Sequence, residues 1–155
     1  MERLTYDDDT AFTLADDAST IARVARTATR EQLRATKFDE WTALEVIGHV
    51  ADMADVFAER VRRMVAEQKP HLEAVDQDAV HAERRNNERD PMDFAKRIQA
   101  AHAQIVRLLA VTANRARAGV HGEWGEIDAA HVAAYQARHS HEHVTQLAER
   151  FPPAN

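Results

Sequence analysis

Tyr135-Gln136-Ala137-Arg138-His139-Ser140-His141-Glu142-His143-Val144-Thr145-Gln146-Leu147 is the stretch whose reading decides the rest of the chain. Ala137, Val144 and Leu147 return on one side at helical spacing, so the stretch reads as an amphipathic helix. His139 and His143 are four apart and become neighbours on one face of that helix. Two imidazoles so placed reach one ion at a Zn–N distance of about 2.0–2.1 Å. His141 lies about 200° round the helix from His139 and points elsewhere. A spacing of four also occurs among surface and core histidines, so the pair gains meaning only with a third ligand from another helix.

His49 is the first candidate for that ligand. It sits at the edge of an apolar stripe, close to Val46, Met53 and Val56 on the helix wheel. His102 flanks another stripe and is the alternative. Three neutral imidazoles leave coordination positions open, the pattern of a catalytic rather than a closed structural site. All-nitrogen ligation suits zinc, nickel, copper or iron. Zinc ranks first from its frequent use of histidine, with nickel carried as the alternative. His71, His81, His121 and His131 read as solvated, and His141 as a packing or surface residue. Arg60 falls about 20° from His49 on the wheel. It reads either as an anion clamp beside the metal or as a cation snorkelling to solvent.

Working outward, the chain of 155 residues suits one domain, 1–155, with a real core. It has four glycines and four prolines, and its composition favours helices. With no cysteine, disulfides, thiolate ligands and a cysteine nucleophile are all excluded. A net charge of −6 speaks against nucleic acid as the main partner. No apolar run approaches a membrane span, and the acidic start lacks the features of a signal peptide. These observations predict a soluble cytoplasmic protein with no membrane partner.

The periodicity predicts four helices. The first covers 11–26, with Phe12, Leu14, Ile21, Val24 and Ala25 facing the core, after an irregular or extended segment 1–10. A capping box at Thr29 and Gln32 starts a short helical piece. Thr42 and Glu45 form a second capping box, opening a long helix over 43–68, with Trp41 and Val46 as a hydrophobic staple. Its stripe is Leu44, Ile47, Ala51, Ala54, Phe57, Val61 and Val65; Glu45, Asp52, Asp55, Glu59 and Arg63 take the polar side. Residues 70–89 read as a long polar crossover. Asp90 and Pro91 start the third long helix. It carries Phe94, Ile98, Ala101, Ile105, Leu108 and Leu109 and ends at Gly119 as a C′ glycine. Residues 121–125 read as a turn-rich linker, and Asp128 caps the last helix, which ends near Arg150. The expected fold is an all-α four-helix bundle with a long connection between the second and third helices.

Glu40-Trp41-Thr42-Ala43-Leu44-Glu45-Val46-Ile47-Gly48-His49 resembles the second-helix motif of the DinB-like bundles, a tryptophan followed by Gly-His. Pro70 and Asp76-Gln77-Asp78 resemble the connection that follows it. His139 to Leu147 resembles the family's fourth-helix motif, two histidines four apart with a glutamine shortly after. The resemblance runs from about residue 12 to 150. It implies up-down-down-up topology, a homodimer, and a metal site of His49, His139 and His143. Characterised members include S-transferases and isomerases that use bacillithiol, mycothiol or glutathione, so the resemblance implies a low-molecular-weight thiol and a small electrophile as substrates. A metal-dependent hydrolase, or a non-catalytic bundle that binds metal or ligand, is the alternative. For a hydrolase, Glu45 and Glu142 are the carboxylates nearest the histidines.

Overall fold

The computed structural model describes residues 2–154, and of residues 82–84 the backbone only. Met1 and Asn155, the ends of the one-domain reading, lie outside the described residues. Four long helices carry the fold: α1 (Asp8–Thr27), α3 (Ala43–Ala66), α5 (Pro91–Leu109) and α6 (Ala129–Arg150). Two short helices join them, α2 (Arg30–Ala35) and α4 (Gln77–Arg84). Their apolar faces meet in one core cluster, with Leu14, Leu44, Ile47, Ile98, Ile105 and Leu147 fully buried. The four-helix bundle expected from periodicity is the fold observed.

Contacts fix the helix directions. Leu4 N–H donates to His131 Nδ1 at 3.0 Å, and Arg23 Nη1 donates to the Phe151 carbonyl at 3.0 Å. Sequence numbers rise together along that seam, so α1 and α6 run parallel. His49 meets His139 while Phe57 stacks on Tyr135, so α3 and α6 run antiparallel. Tyr6 lies under Arg115 and Leu14 bonds to His102, so α1 and α5 also run antiparallel. The order is therefore up, down, down, up, and α3 and α5 share a direction.

A parallel pair needs a crossover, and residues 70–89 provide it. They are not the bare polar loop expected from the sequence. They hold β3 (His71–Leu72), α4 and a 3-10 turn at Asn86–Glu88. β3 pairs in parallel with β4 (Ala118–His121), and β4 pairs antiparallel with β5 (Gly125–Asp128). This three-stranded patch closes the pole where α3 and α5 end. At the other pole, β1 (Lys37–Phe38) and β2 (Trp41–Thr42) form a small hairpin that delivers Thr42 to cap α3.

Several local expectations need correction. α1 begins at Asp8, because Asp7 accepts from the Thr10 N–H in a capping box; residues 8–10 are therefore helical. Phe12 is 68% exposed. It sits two residues before Leu14 and so faces away from the 14, 18, 21, 25 stripe. α5 stops at Leu109 rather than running to Gly119. Asn114 Nδ2 and Arg115 Nε fold back onto the Leu108 and Leu109 carbonyls, both at 2.8 Å, and satisfy the helix end. Gly119 lies in β4, and residues 122–124 are the turn of the β4–β5 hairpin, which Gly125 leaves at φ +74°. Asp52 is buried rather than solvated: Arg97 Nη2 donates to it at 2.8 Å and Asn86 Nδ2 at 3.1 Å. Among the described residues, no helix is long and apolar enough to cross a membrane.

Candidate metal centre

His49 stands near the start of α3 and His143 near the end of α6, so antiparallel packing brings them to the same level. His49 is 4% exposed, and His139 and His143 are half-buried beside it. The ring centroids of His49 lie 4.9 Å from His139 and 5.2 Å from His143, and those two are 4.8 Å apart. His49 Nε2 and His139 Nε2 are separated by 3.0 Å. One ligand nitrogen from each ring lies within 4.8 Å of the other two. Tetrahedral zinc with Zn–N of about 2.0–2.1 Å spaces its nitrogens about 3.3 Å apart. Two of the three nitrogens already stand near that spacing.

The hydrogen bonding sets this cluster apart from an ordinary core histidine. His102, the alternative third ligand, is fully satisfied: its Nδ1–H donates to the Leu14 carbonyl at 2.7 Å and its Nε2 accepts from Gln136 Nε2 at 3.0 Å. It is a packing residue between α1, α5 and α6. His139 Nδ1 and His143 Nδ1 are buried with no hydrogen-bond partner among the described residues. An orphaned buried polar atom costs about 1–3 kcal/mol. Three imidazoles converging from two helices, two of them with a second ring nitrogen that has no partner among the described residues, are a donor set that fits a divalent cation.

Electrostatics favour the same state. Burial, with the neighbouring histidines adding, lowers the pKa of His49 to about 3. Burial and His143 lower that of His139 to about 4. His143 is also lowered, chiefly by burial, against the opposing pull of Glu142. All three rings are therefore held neutral near pH 7, the form a metal requires.

A wall around the cluster was only partly legible. Trp41 meets His49 edge-on at 5.0 Å and stacks on His81 at 3.9 Å. His81 Nε2 lies 3.1 Å from Glu45 Oε2. His81 is thus part of the wall, not a solvated loop residue, and no local signal marks it because α4 must fold back to bring it there. Glu45 also accepts from the Thr42 N–H at 3.0 Å, which ties it to the cap. Glu142 is exposed. A cavity of about 510 Å³ opens beside His143, lined by Phe38, Asp39, Glu40, Trp41, Val46 and Gln146.

The remaining histidines fall elsewhere. His121 and His131 are buried, 4% and 1% exposed, rather than solvated. His121 Nδ1 accepts from the Glu123 and Trp124 N–H groups, and His131 Nδ1 from Leu4. His71 is exposed, and so is His141, which reaches Asp17 at 3.0 Å. Arg60 is buried on α3, away from the three rings, over Phe57.

A family model described as the DinB superfamily matches residues 13–147. Among solved structures, YfiT from Bacillus subtilis is described as a probable metal-dependent hydrolase with an unusual four-helix bundle topology. It superposes with a TM-score of 0.80 at 21% sequence identity, over 95% of this chain and 88% of that one. At that identity the likeness shows the fold. Comparison with curated proteins gives no match.

Proposed function

The chain belongs to the DinB superfamily, and from that premise we propose that His49, His139 and His143 hold one divalent metal ion in a metal-dependent enzyme. Zinc is the first choice of ion and nickel the next. The reaction is transfer of a low-molecular-weight thiol to a small electrophile. The observation that carries the metal reading is the convergence of three neutral rings, each with a ligand nitrogen within 4.8 Å of the other two.

His49, His139 and His143 would hold the ion, which when bound would supply the Lewis acidity that lowers the pKa of a thiol or water. The chain's own residues do the rest. Burial keeps the imidazoles neutral. Trp41, braced by His81, screens His49 from water on one side. The cavity at His143 gives substrate its approach, and Gln146 offers an amide on its wall. As sulfur bonds to the electrophilic carbon, the bond from that carbon to its leaving group breaks. The leaving group keeps the electron pair, and the thiol proton passes to bulk water.

Thiol transfer needs no protein base; the carboxylates near the cluster are Glu45 and Glu142, and Asp39 and Glu40 line the cavity beside His143. Glu45 is engaged by Thr42 and His81, and Glu142 is exposed. The second reading is a hydrolase, favoured by the description of YfiT; it requires one of those carboxylates to turn inward. We also carry the expectation of a cytoplasmic homodimer, which rests on the family resemblance and whose assembly sedimentation would test. The enzymatic test is conjugation of glutathione, bacillithiol or mycothiol to a chlorodinitrobenzene, with and without chelator. Conjugation lost on chelation and restored by zinc or nickel is the expected result. Metal-dependent ester or amide hydrolysis without conjugation would move the assignment to the second reading.

A further inference from the structure

Arg60 is 7% exposed, yet it forms no ion pair with any described residue. Its neighbours differ: Arg62 pairs with Glu59, Arg63 with Glu67, and Arg97 with Asp52 and Asp55. One protein acceptor serves Arg60, the Glu73 carbonyl, at 2.7 Å from Nη2. A guanidinium carries five N–H donors in a planar fork. A buried cation without a counter-charge is costly, and burial here lowers its pKa. Most of its donors are unused by the protein, and the residue lines a cavity.

That cavity measures about 130 Å³ and is walled by Met53, Phe57, Arg60, His121, Trp124 and Tyr135. His121 adds a second donor. Its Nδ1 accepts from the Glu123 and Trp124 N–H groups at 3.0 and 3.1 Å, so the proton of the neutral ring sits on Nε2. Trp124 stacks on His121 at 4.4 Å, and the Arg60 guanidinium rests on the Phe57 ring at 5.0 Å. Glu123 also lines the cavity, but its side chain belongs to an exposed residue of the hairpin turn. A small chamber with a planar cationic fork, a neutral N–H donor and aromatic walls suits a carboxylate.

We propose that this cavity, between α3, α6 and the β4–β5 turn, binds a carboxylate group of the substrate, gripped by Arg60. Met53 stands one turn beyond His49, and Tyr135 one turn before His139, so the cavity lies along the same α3–α6 seam as the histidine cluster. Phe57, under the guanidinium, is eight residues past His49, or about 12 Å along the helix axis. The substrate is then an elongated molecule with a carboxylate at one end and its reacting atom about 12 Å away. That span rests on the metal-centre reading; the carboxylate cavity does not.

The test uses the whole chain, stripped of metal, and the ¹⁵N NMR signals of the Arg60 Nε–H and the Trp124 indole N–H. Propionate and inorganic phosphate are titrated separately at constant ionic strength, with chloride as the control. The expected result is a saturable propionate shift. It weakens at least about tenfold in R60Q, the factor for losing a charge-assisted hydrogen bond. R60K, which keeps the charge but not the fork, falls between, and H121N weakens binding while its amide oxygen replaces Nδ1 as acceptor. R60K and H121N carry the test if R60Q does not fold. No saturable shift, or equal affinity in R60K, H121N and wild type, overturns the proposal. Saturation by phosphate without propionate overturns the carboxylate assignment. Retained propionate binding in a protein that takes up no zinc or nickel would sink the metal reading and leave the cavity standing.

Discussion

Asn86 occupies the space that a side chain at position 48 would need. A Cβ built on Gly48 would lie 2.5 Å from Asn86 Cγ, closer than real contacts allow. Asn86 is 1% exposed and is held there by its Nδ2 bond to Asp52. Glycine precedes His49 because the crossover returning from α4 presses onto α3 at that point. An exposed helical Gly→Ala change would gain about 1 kcal/mol. Here the expected outcome is a loss of about 1–3 kcal/mol from overpacking, read by urea unfolding. Adding N86G to G48A should recover most of it. A stabilised G48A variant would show that Asn86 moves aside freely and that the packing account is wrong.

His143→Ala and His102→Ala separate a ligand from a packing residue. His143 has an orphaned nitrogen, whereas both nitrogens of His102 are bonded within the bundle. H143A should lose tightly held zinc or nickel on dialysis while the metal-free protein unfolds within about 1 kcal/mol of wild type. H102A should do the reverse, keeping metal and losing about 1–3 kcal/mol through unsatisfied partners. Metal content is measured by emission spectroscopy on dialysed samples. Full occupancy in H143A would remove the α6 pair from the ligand set.

What the sequence made legible was local or periodic. The caps at Thr29, Thr42, Asp90 and Asp128 are all observed, because each needs only its own first turn. For the histidine cluster, helical spacing marked the His139 and His143 pair and left His49 and His102 open as the third member, which the family resemblance implied to be His49. The strands escaped because they are two to four residues long and are defined by distant partners, as where His71 meets Val120. The burial of His121 and His131 escaped for the same reason. Their hydrogen bonds come from the hairpin turn and from Leu4, and neither helix nor strand periodicity marks them.

Leu147 probes the core one turn beyond His143. It is fully buried, on the helix that carries His139 and His143. Leu147→Ala should cost about 2–5 kcal/mol. In a chain of this size each kcal/mol lowers Tm by about 2–4 °C. The folded fraction should still bind metal. Calorimetry with and without zinc checks both points: a variant that loses metal affinity along with stability would mean that the ligands need the full core to hold their geometry.

Acid should destabilise the metal-free bundle through its buried neutral histidines. Burial lowers the pKa of His102 below its ordinary 6.5, against the Leu14 carbonyl bond that raises it. His121 and His131 are lowered by burial as well. The unfolded chain therefore takes up protons first as pH falls. Each such histidine contributes stability that is whole above about 6.5 and is lost on going down through 6.5 towards the folded value. The slope per histidine cannot exceed about 1.4 kcal/mol per pH unit. Asp17 has the opposite sign: burial raises its pKa above 3.8 over the bonds from His141 and Ser140, so its protonation as pH falls offsets part of the histidine loss. Urea unfolding at several pH values between neutral and mildly acidic, with chelator present, should show a decline that is shallower in His102→Gln, where the amide still donates to Leu14 but does not titrate. An unchanged slope in that variant would mean that His102 already shares solvent protons in the folded state, and the buried network around Gln136 would have to be redrawn.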